Sequence, residues 1–135
     1  MGVRVIARTW HGRVPTSKAD AYQTFLERTG LADYAKTPGY RGVLVLRDGE
    51  PEVTHFTLTS FWDSVDAIRR FAGDDYTRAR YYDDDDAYLL EKEPFVAHAE
   101  VVTLAPPVGV TPASRTEGSN IPASRTEGSN TDDTD

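Results

Sequence analysis

The sequence predicts an α+β domain of ferredoxin-like order, β-α-β-β-α-β, with a four-stranded antiparallel sheet and both helices on one face. Three observations carry this. Residues 3–11 alternate as a strand, a strand runs without a loop into a helix at Phe61-Trp62-Asp63-Ser64, and the composition changes abruptly at Ala105. The chain has 135 residues, so about 100 remain for the core. That supports one modest domain and not two.

Along the first strand, Val5, Ala7, Thr9 and His11 share one side, and Arg4, Ile6, Arg8 and Trp10 share the other. Gly12 to Pro15 is expected to break it. Thr16 or Ser17 can cap a helix to about Arg28, or in broken form to Tyr34, with Ala21, Tyr22, Phe25 and Leu26 as its apolar stripe. Thr37-Pro38-Gly39 reads as a turn. Tyr40 to Arg47 is a second strand, and its unbroken run Val43-Leu44-Val45-Leu46 implies burial on both faces. Asp48-Gly49 signals a hairpin that Pro51 lengthens. Thr54 to Trp62 is a third strand. Asp63 or Ser64 caps the second helix, Val65, Ile68 and Phe71 form its inner face, and Gly73 ends it. A helical turn is expected over Asp75 to Tyr82, and a fourth strand over Phe95 to Leu104. Right-handed crossovers give the ferredoxin-like sheet. Its uncovered face carries apolar residues that a second copy, packed sheet against sheet, would cover.

Residues 105–135 form a separate segment. Pro112 to Asn120 recurs residue for residue as Pro122 to Asn130. Two copies of a polar nonamer bury no core, so disorder is expected there. Net charge is −7, of which the tail from Ala105 holds five acidic and two basic residues. The acidic body argues against nucleic acid and against an anionic membrane surface. With no cysteine, disulfides and thiolate chemistry are excluded. No run reaches membrane-spanning length, and Met1 to Val5 enters a strand rather than a signal peptide, so a cytoplasmic protein is expected.

Residues 3–104 resemble the antibiotic biosynthesis monooxygenase family of dimeric α+β barrels. The resemblance rests on Arg8-Thr9-Trp10, the Thr29-Gly30-Leu31 and Thr37-Pro38-Gly39 breaks, Phe61-Trp62-Asp63-Ser64, and Ala79-Arg80-Tyr81-Tyr82 before an acidic run. It implies a homodimer with a pocket in each subunit between sheet and helices. Some members oxidise aromatic polyketides with molecular oxygen and neither metal nor flavin; others bind and degrade haem. The haem branch places an iron-ligating histidine about ten residues beyond an aromatic on the second helix. Here Phe71 stands at the aromatic position, Tyr81 at the ligand position, and Thr9 near the position of an asparagine. These departures set haem degradation aside in favour of a cofactor-independent monooxygenase acting on a phenolic or polyketide-like molecule. A small-molecule-binding dimer without catalysis is the alternative.

Oxygenation of that kind needs a base and a stabiliser for the substrate anion. Histidine suits the base. His98, midway along the fourth strand, and His55, opening the third, are the candidates, with Tyr81 a further catalytic residue; His11 is expected to be exposed at a strand end. Arg8, Trp10, Trp62, Phe71 and Tyr82 are expected to line the pocket. Each also fits ordinary packing. Arg8, a charge on an apolar strand face, needs a partner, and Glu100 is the one expected. Asp83 to Asp86 lacks calcium-loop spacing, so no metal is expected. Molecular oxygen would be the co-substrate.

Overall fold

A computed structural model of the chain describes residues 4–105; the repeated tail lies outside the described residues. The body, through residue 102, is one compact unit. Its elements are β1 (Val5–Pro15), α1 (Ala19–Arg28), α2 (Gly30–Lys36), β2 (Tyr40–Gly49), β3 (Val53–Trp62), α3 (Val65–Ala72) and β4 (Ala97–Val101). The sheet is antiparallel in the order β2-β3-β1-β4, the ferredoxin-like order, with β1 and β3 central.

Several boundaries differ from expectation for identifiable reasons. β1 continues through Gly12 to Pro15, because Gly12 pairs with Phe56 and Pro15 with Val53 across the ladder. A glycine here does not break the strand. It makes room for Trp10, since a Cβ at position 12 would strike the Trp10 indole and Leu89. The first helix takes the broken one of the two expected forms, with Thr29 between its pieces adopting neither helical nor extended backbone. No helical turn forms over Asp75 to Tyr82. The acidic run itself coils instead, as a 3-10 turn at Asp83–Ala87. There Asp85 accepts the Tyr82 amide at 2.6 Å, and the backbone carbonyl of Tyr82 accepts the Asp85 amide. β4 is shorter than expected, with Phe95 making only an isolated bridge to Arg78.

The strand-to-helix junction forms as its residues dictate. Ser64 Oγ accepts the Ala67 amide at 3.1 Å, the cap that the first turn requires. Gly73 closes α3 with φ of 95°, a backbone that favours glycine. Ala67, Ile68 and Phe71 are buried against the sheet. The core joins them to Val14, Phe56, Leu58 and Trp62 from the strands and to Tyr22, Phe25, Leu26 and Tyr34 from α1 and α2. Trp62 is fully buried, donates to Ser60 Oγ at 2.9 Å and meets Tyr34 and Tyr40 edge-on.

All helices therefore cover one sheet face, on which Ile6, Arg8, Trp10 and Val14 of β1 lie beside Phe56, Leu58, Ser60 and Trp62 of β3. The opposite face presents Ala7, Thr9, His11 and Arg13 beside His55, Thr57, Thr59 and Phe61. β2 is an edge strand. Its apolar run is not buried on both sides within one chain, and Leu44 and Leu46, on the open face, are each 53% exposed.

Gly12→Ala should force the Trp10 indole off its position and cost about 1–3 kcal/mol. Denaturant unfolding together with tryptophan fluorescence checks this. A variant with unchanged stability and emission would show that the indole does not need that space.

Candidate functional site

A buried cation organises the helix-covered face. Arg8 is only 3% exposed, yet among the described residues no carboxylate pairs with it. Its Nη1 donates to the Tyr76 carbonyl at 2.6 Å and its Nη2 to the Arg78 carbonyl at 3.1 Å. The guanidinium carbon lies 5.9 Å from the centre of the Phe71 ring. Burial lowers the Arg8 pKa, but a guanidinium remains charged at any physiological pH. The expected Arg8–Glu100 pair does not form. Register explains why: Glu100 pairs with Ile6 and not with Arg8, so its carboxylate takes Arg4 instead, at 3.1 Å.

Beside Arg8, between sheet and helices, lies a cavity of about 40 Å³. Trp10, Phe71, Tyr81 and Tyr82 line it as expected, and Trp62 does not. Trp62 sits behind, as core. The lining also contains Tyr22, Tyr34, Arg80 and Asp85, which the sequence reading did not single out. Trp10 Nε1 donates to the Tyr81 hydroxyl at 3.1 Å, and that hydroxyl donates to the Glu93 carbonyl at 2.6 Å. Arg80 donates to the Phe71 carbonyl at 3.0 Å and to Asp33 at 3.2 Å, and its guanidinium carbon lies 4.8 Å from the centre of the Phe71 ring. Tyr82 donates to the same Asp33 carboxylate at 2.5 Å.

Asp85 is the one carboxylate of this lining and is 4% exposed. Besides the Tyr82 amide it receives the Tyr22 hydroxyl, at a long 3.5 Å. Burial raises its pKa, against the pull of those two donors. Burial likewise raises the pKa of Tyr22, Tyr81 and Tyr82, so these phenols are neutral hydrogen-bonding groups at pH 7 and not bases. Four consecutive aspartates give no sequence signal that separates Asp85 from its neighbours. Which of the four turns inward is set by the 3-10 turn.

The histidines do not converge on this cavity. His55 projects from the opposite sheet face, where it meets His11, so it is not the base of this site. His11 is not at a strand end; it pairs with Thr57 in mid-strand. His98 is on the correct face, cross-strand from Arg8, but lines a neighbouring groove with Ile6, Tyr76 and Glu100. Arg8 Nη1 lies 3.4 Å from His98 Nε2. A guanidinium only donates, so that nitrogen serves as acceptor and its lone pair is directed at Arg8. Burial and the Arg8 charge lower the His98 pKa, which keeps its ring neutral. Among the described residues no group of three or more histidines, aspartates or glutamates is placed to hold a metal, and no helix is long and apolar enough to cross a membrane.

No protein-family model matches the chain, and no curated protein sequence does either. Solved structures do match. A protein of unknown function from Nitrosomonas europaea superposes with a TM-score of 0.57 over 79% of this chain and 98% of its own, at 14% identity. A protein of Bacillus cereus, provisionally assigned as an antibiotic biosynthesis monooxygenase, gives 0.51 over 78% and 100%, at 13% identity. A second Nitrosomonas europaea protein with the same provisional assignment gives 0.51 over 78% and 95%, at 15% identity. The chain thus has the α+β fold that these proteins share. At such identities the likeness speaks for the fold, and the chemistry has to be argued from the cavity.

The raised Asp85 pKa has a consequence for stability. Below the ordinary aspartate value the carboxyl is protonated in both folded and unfolded chains and costs nothing. As pH rises through the raised folded-state value, ionisation is harder in the folded protein, and stability is lost. Asp85→Asn keeps an acceptor for the Tyr82 amide and removes that titration. Its stability relative to the parent should improve as pH rises above the ordinary aspartate value and level off once the folded-state carboxyl has ionised, in parallel denaturant titrations. A difference independent of pH would mean that Asp85 ionises as freely folded as unfolded.

Proposed function

We propose that the chain is a cofactor-independent monooxygenase whose substrate is an aromatic, phenolic or polyketide-like small molecule bound against Arg8. The observation that supports this best is the buried guanidinium itself. It is charged, lines an aromatic cavity, and meets two carbonyls, the His98 ring and the Phe71 face but no carboxylate. A substrate anion formed there would find a fixed positive charge in a site with little water, where electrostatic stabilisation is strongest. Asp85, the carboxylate of the same cavity, is the base in this reading, and its raised pKa suits that role. His98 is then a neighbour that positions Arg8.

The reaction balances without a cofactor. Asp85 takes a proton from an activated methylene between aryl rings. The carbanion passes electrons to dioxygen and forms a C–O bond as a peroxide anion, which recovers the proton from Asp85. Loss of water from the hydroperoxide leaves a ketone. One methylene and one dioxygen become one carbonyl and one water.

A cavity of about 40 Å³ admits dioxygen or water. It is far below the roughly 300–1,000 Å³ of ordinary ligand pockets. An aryl substrate therefore enters only as the wall over Tyr81 and Tyr82 moves. The same fact supports a second reading, a small-molecule-binding protein without turnover, since Tyr81 and Asp85 already have partners within the chain. Haem fits less well, because the Tyr81 hydroxyl at the ligand position is engaged on both sides.

An oxygen electrode with an anthrone-like substrate separates the readings. The monooxygenase consumes one dioxygen per ketone formed, and Arg8→Lys lowers kcat by about 10²-fold or more while circular dichroism shows a folded chain. Binding without oxygen uptake by the parent protein would leave the second reading. Turnover unchanged in Arg8→Lys would remove Arg8 from the mechanism.

We further propose that the open sheet face is covered by a second copy. Leu44 and Leu46 stand exposed there beside the threonine and phenylalanine positions of β3. Light scattering should give twice the 15.0 kDa chain mass. Leu44→Asp with Leu46→Asp should halve it, and a parent protein that is already monomeric at micromolar concentration would overturn the pairing.

A further inference from the structure

The groove that His98 borders has no part in the cavity chemistry. It holds about 220 Å³ and lies where β1 and β4 meet the start of α3 and the stretch after it. Ile6, Val65 and Tyr76 give it apolar walls, and His98, Arg4 and Glu100 give it polar ones. It shares no lining residue with the smaller cavity. Arg8 links the two spaces. It lines the cavity, and its Nη1 reaches the Tyr76 carbonyl and His98 Nε2, at 2.6 and 3.4 Å.

The groove has a hydrogen-bond donor left over. A guanidinium 3.4 Å from Nε2 repels a proton there, so the neutral His98 ring carries its N–H on Nδ1. Among the described residues that N–H meets no acceptor. The Arg8 charge polarises the ring and makes the N–H a stronger donor. The balance of charge points the same way. Arg4 offsets Glu100, with Nε 3.1 Å from its carboxylate. Among the described residues no carboxylate offsets Arg8, and its burial leaves its field little screened. The His98 end of the groove is therefore electropositive, and an anionic acceptor is what it lacks.

The walls set the rest of the ligand. Tyr76 stands edge-on to His98 with ring centres 5.2 Å apart, and the Arg69 guanidinium carbon lies 5.2 Å from the centre of the Tyr76 ring. These contacts hold the ring, which with Ile6 and Val65 gives a planar ligand an apolar bed. An apolar space of about 150 Å³ holds one benzene ring. The groove thus suits a single ring with a small polar group. At pH 7.5 a carboxylic acid is ionised and a simple phenol is not.

We propose that this groove binds a monocyclic aromatic carboxylate, with the ring against Ile6, Val65 and Tyr76 and the carboxylate accepting from His98 Nδ1–H. Glu100 opposes the anion and Arg4 moderates that opposition. The site lies outside the cavity and does not depend on the proposed oxygenation.

Benzoate, titrated into the full chain at pH 7.5 and followed by NMR, is the test. Saturable binding is expected with a Kd on the order of 1 mM. Benzyl alcohol, of similar size and uncharged, should bind at least tenfold more weakly. Benzoate ring protons should give Overhauser contacts to the Ile6 and Val65 methyls, and the His98 Nδ1 resonance should shift. His98→Phe keeps a ring, removes the donor and should weaken binding at least tenfold. Glu100→Gln, at an exposed position, removes the opposing charge and should strengthen binding about two- to fivefold. Should His98→Phe fail to fold, the contacts in the parent protein and Glu100→Gln still decide. Contacts to Trp10 and Tyr81 instead would put the ring in the cavity and overturn the groove as the site. Equal affinity for benzyl alcohol, no saturation below about 10 mM, or an affinity unchanged in Glu100→Gln would overturn it as well.

Discussion

The charge of Arg8 has to be satisfied in the interior, and much of the structure follows from how that is done. A buried guanidinium without partners would be very costly. Here the partners are main-chain carbonyls of Tyr76 and Arg78. These belong to the stretch after α3, which has little regular structure of its own. It is otherwise tied to the segment entering β4 by backbone bonds from the Ala79 amide to the Pro94 carbonyl and from the Val96 amide to the Thr77 carbonyl. Arg8 thus fixes where that stretch leaves the sheet, and so where Arg80, Tyr81 and Tyr82 arrive. The residue that would stabilise a substrate anion is also the one that assembles the cavity wall. That coupling explains why a lysine there is a more informative probe than an alanine, which would remove charge and anchor together.

The two faces of the sheet divide the polar chemistry. Strand parity sends Arg8 and Trp10 under the helices and Thr9 and His11 to the open side, with the β3 residues sorted to match. Neither histidine of the open face can act in the helix-side cavity, whatever its proton affinity. In the proposed reaction the base therefore comes from the loop layer above, where Asp85 is turned inward by its bond to the Tyr82 amide. The arrangement places a carboxylate with a raised pKa and a permanent cation in one small, mostly apolar space. Both are held by main-chain groups, so their positions persist when side chains on the rim rearrange.

The element order, a cap at Asp63 or Ser64 and the Gly73 stop were all legible in the sequence, because each follows from local residue chemistry. Parity within β1 was legible too, and it correctly grouped Arg8 with Trp10. What was not legible was register between strands and the fold of the loop. Pairing Arg8 with Glu100 needed the β1–β4 register, which puts His98 opposite Arg8 instead. Excluding His55 needed the β1–β3 register, which places it on the His11 side. The inward placement of Asp85 depends on a 3-10 turn formed by four consecutive aspartates, where composition suggests a solvated run. Gly12 misled in the other direction, since a glycine kept for an indole looks the same in sequence as one that ends a strand.

The small cavity and the proposed aromatic substrate are reconciled by how unevenly its wall is fastened. At residues 76–78 the wall is held by a buried, charge-assisted grip on Arg8. From residue 80 onward the bonds of Arg80 and Tyr82 to Asp33 and of Lys18 to the Ala87 carbonyl lie nearer the surface, while Tyr81 and Asp85 are held inside by Trp10, the Glu93 carbonyl and the Tyr82 amide. The Arg80 and Asp33 side chains are 38% and 31% exposed, and an ion pair so placed contributes only about 0–1 kcal/mol. Asp33 lies on α2, beyond the break at Thr29, so it can move apart from α1. Releasing Arg80 and Tyr82 from Asp33 therefore costs little, whereas releasing Arg8 would strand a charge in the core. A substrate entering past Tyr82 would displace weak bonds and leave Arg8 in place, which is the order of strengths that the proposed binding and catalysis require.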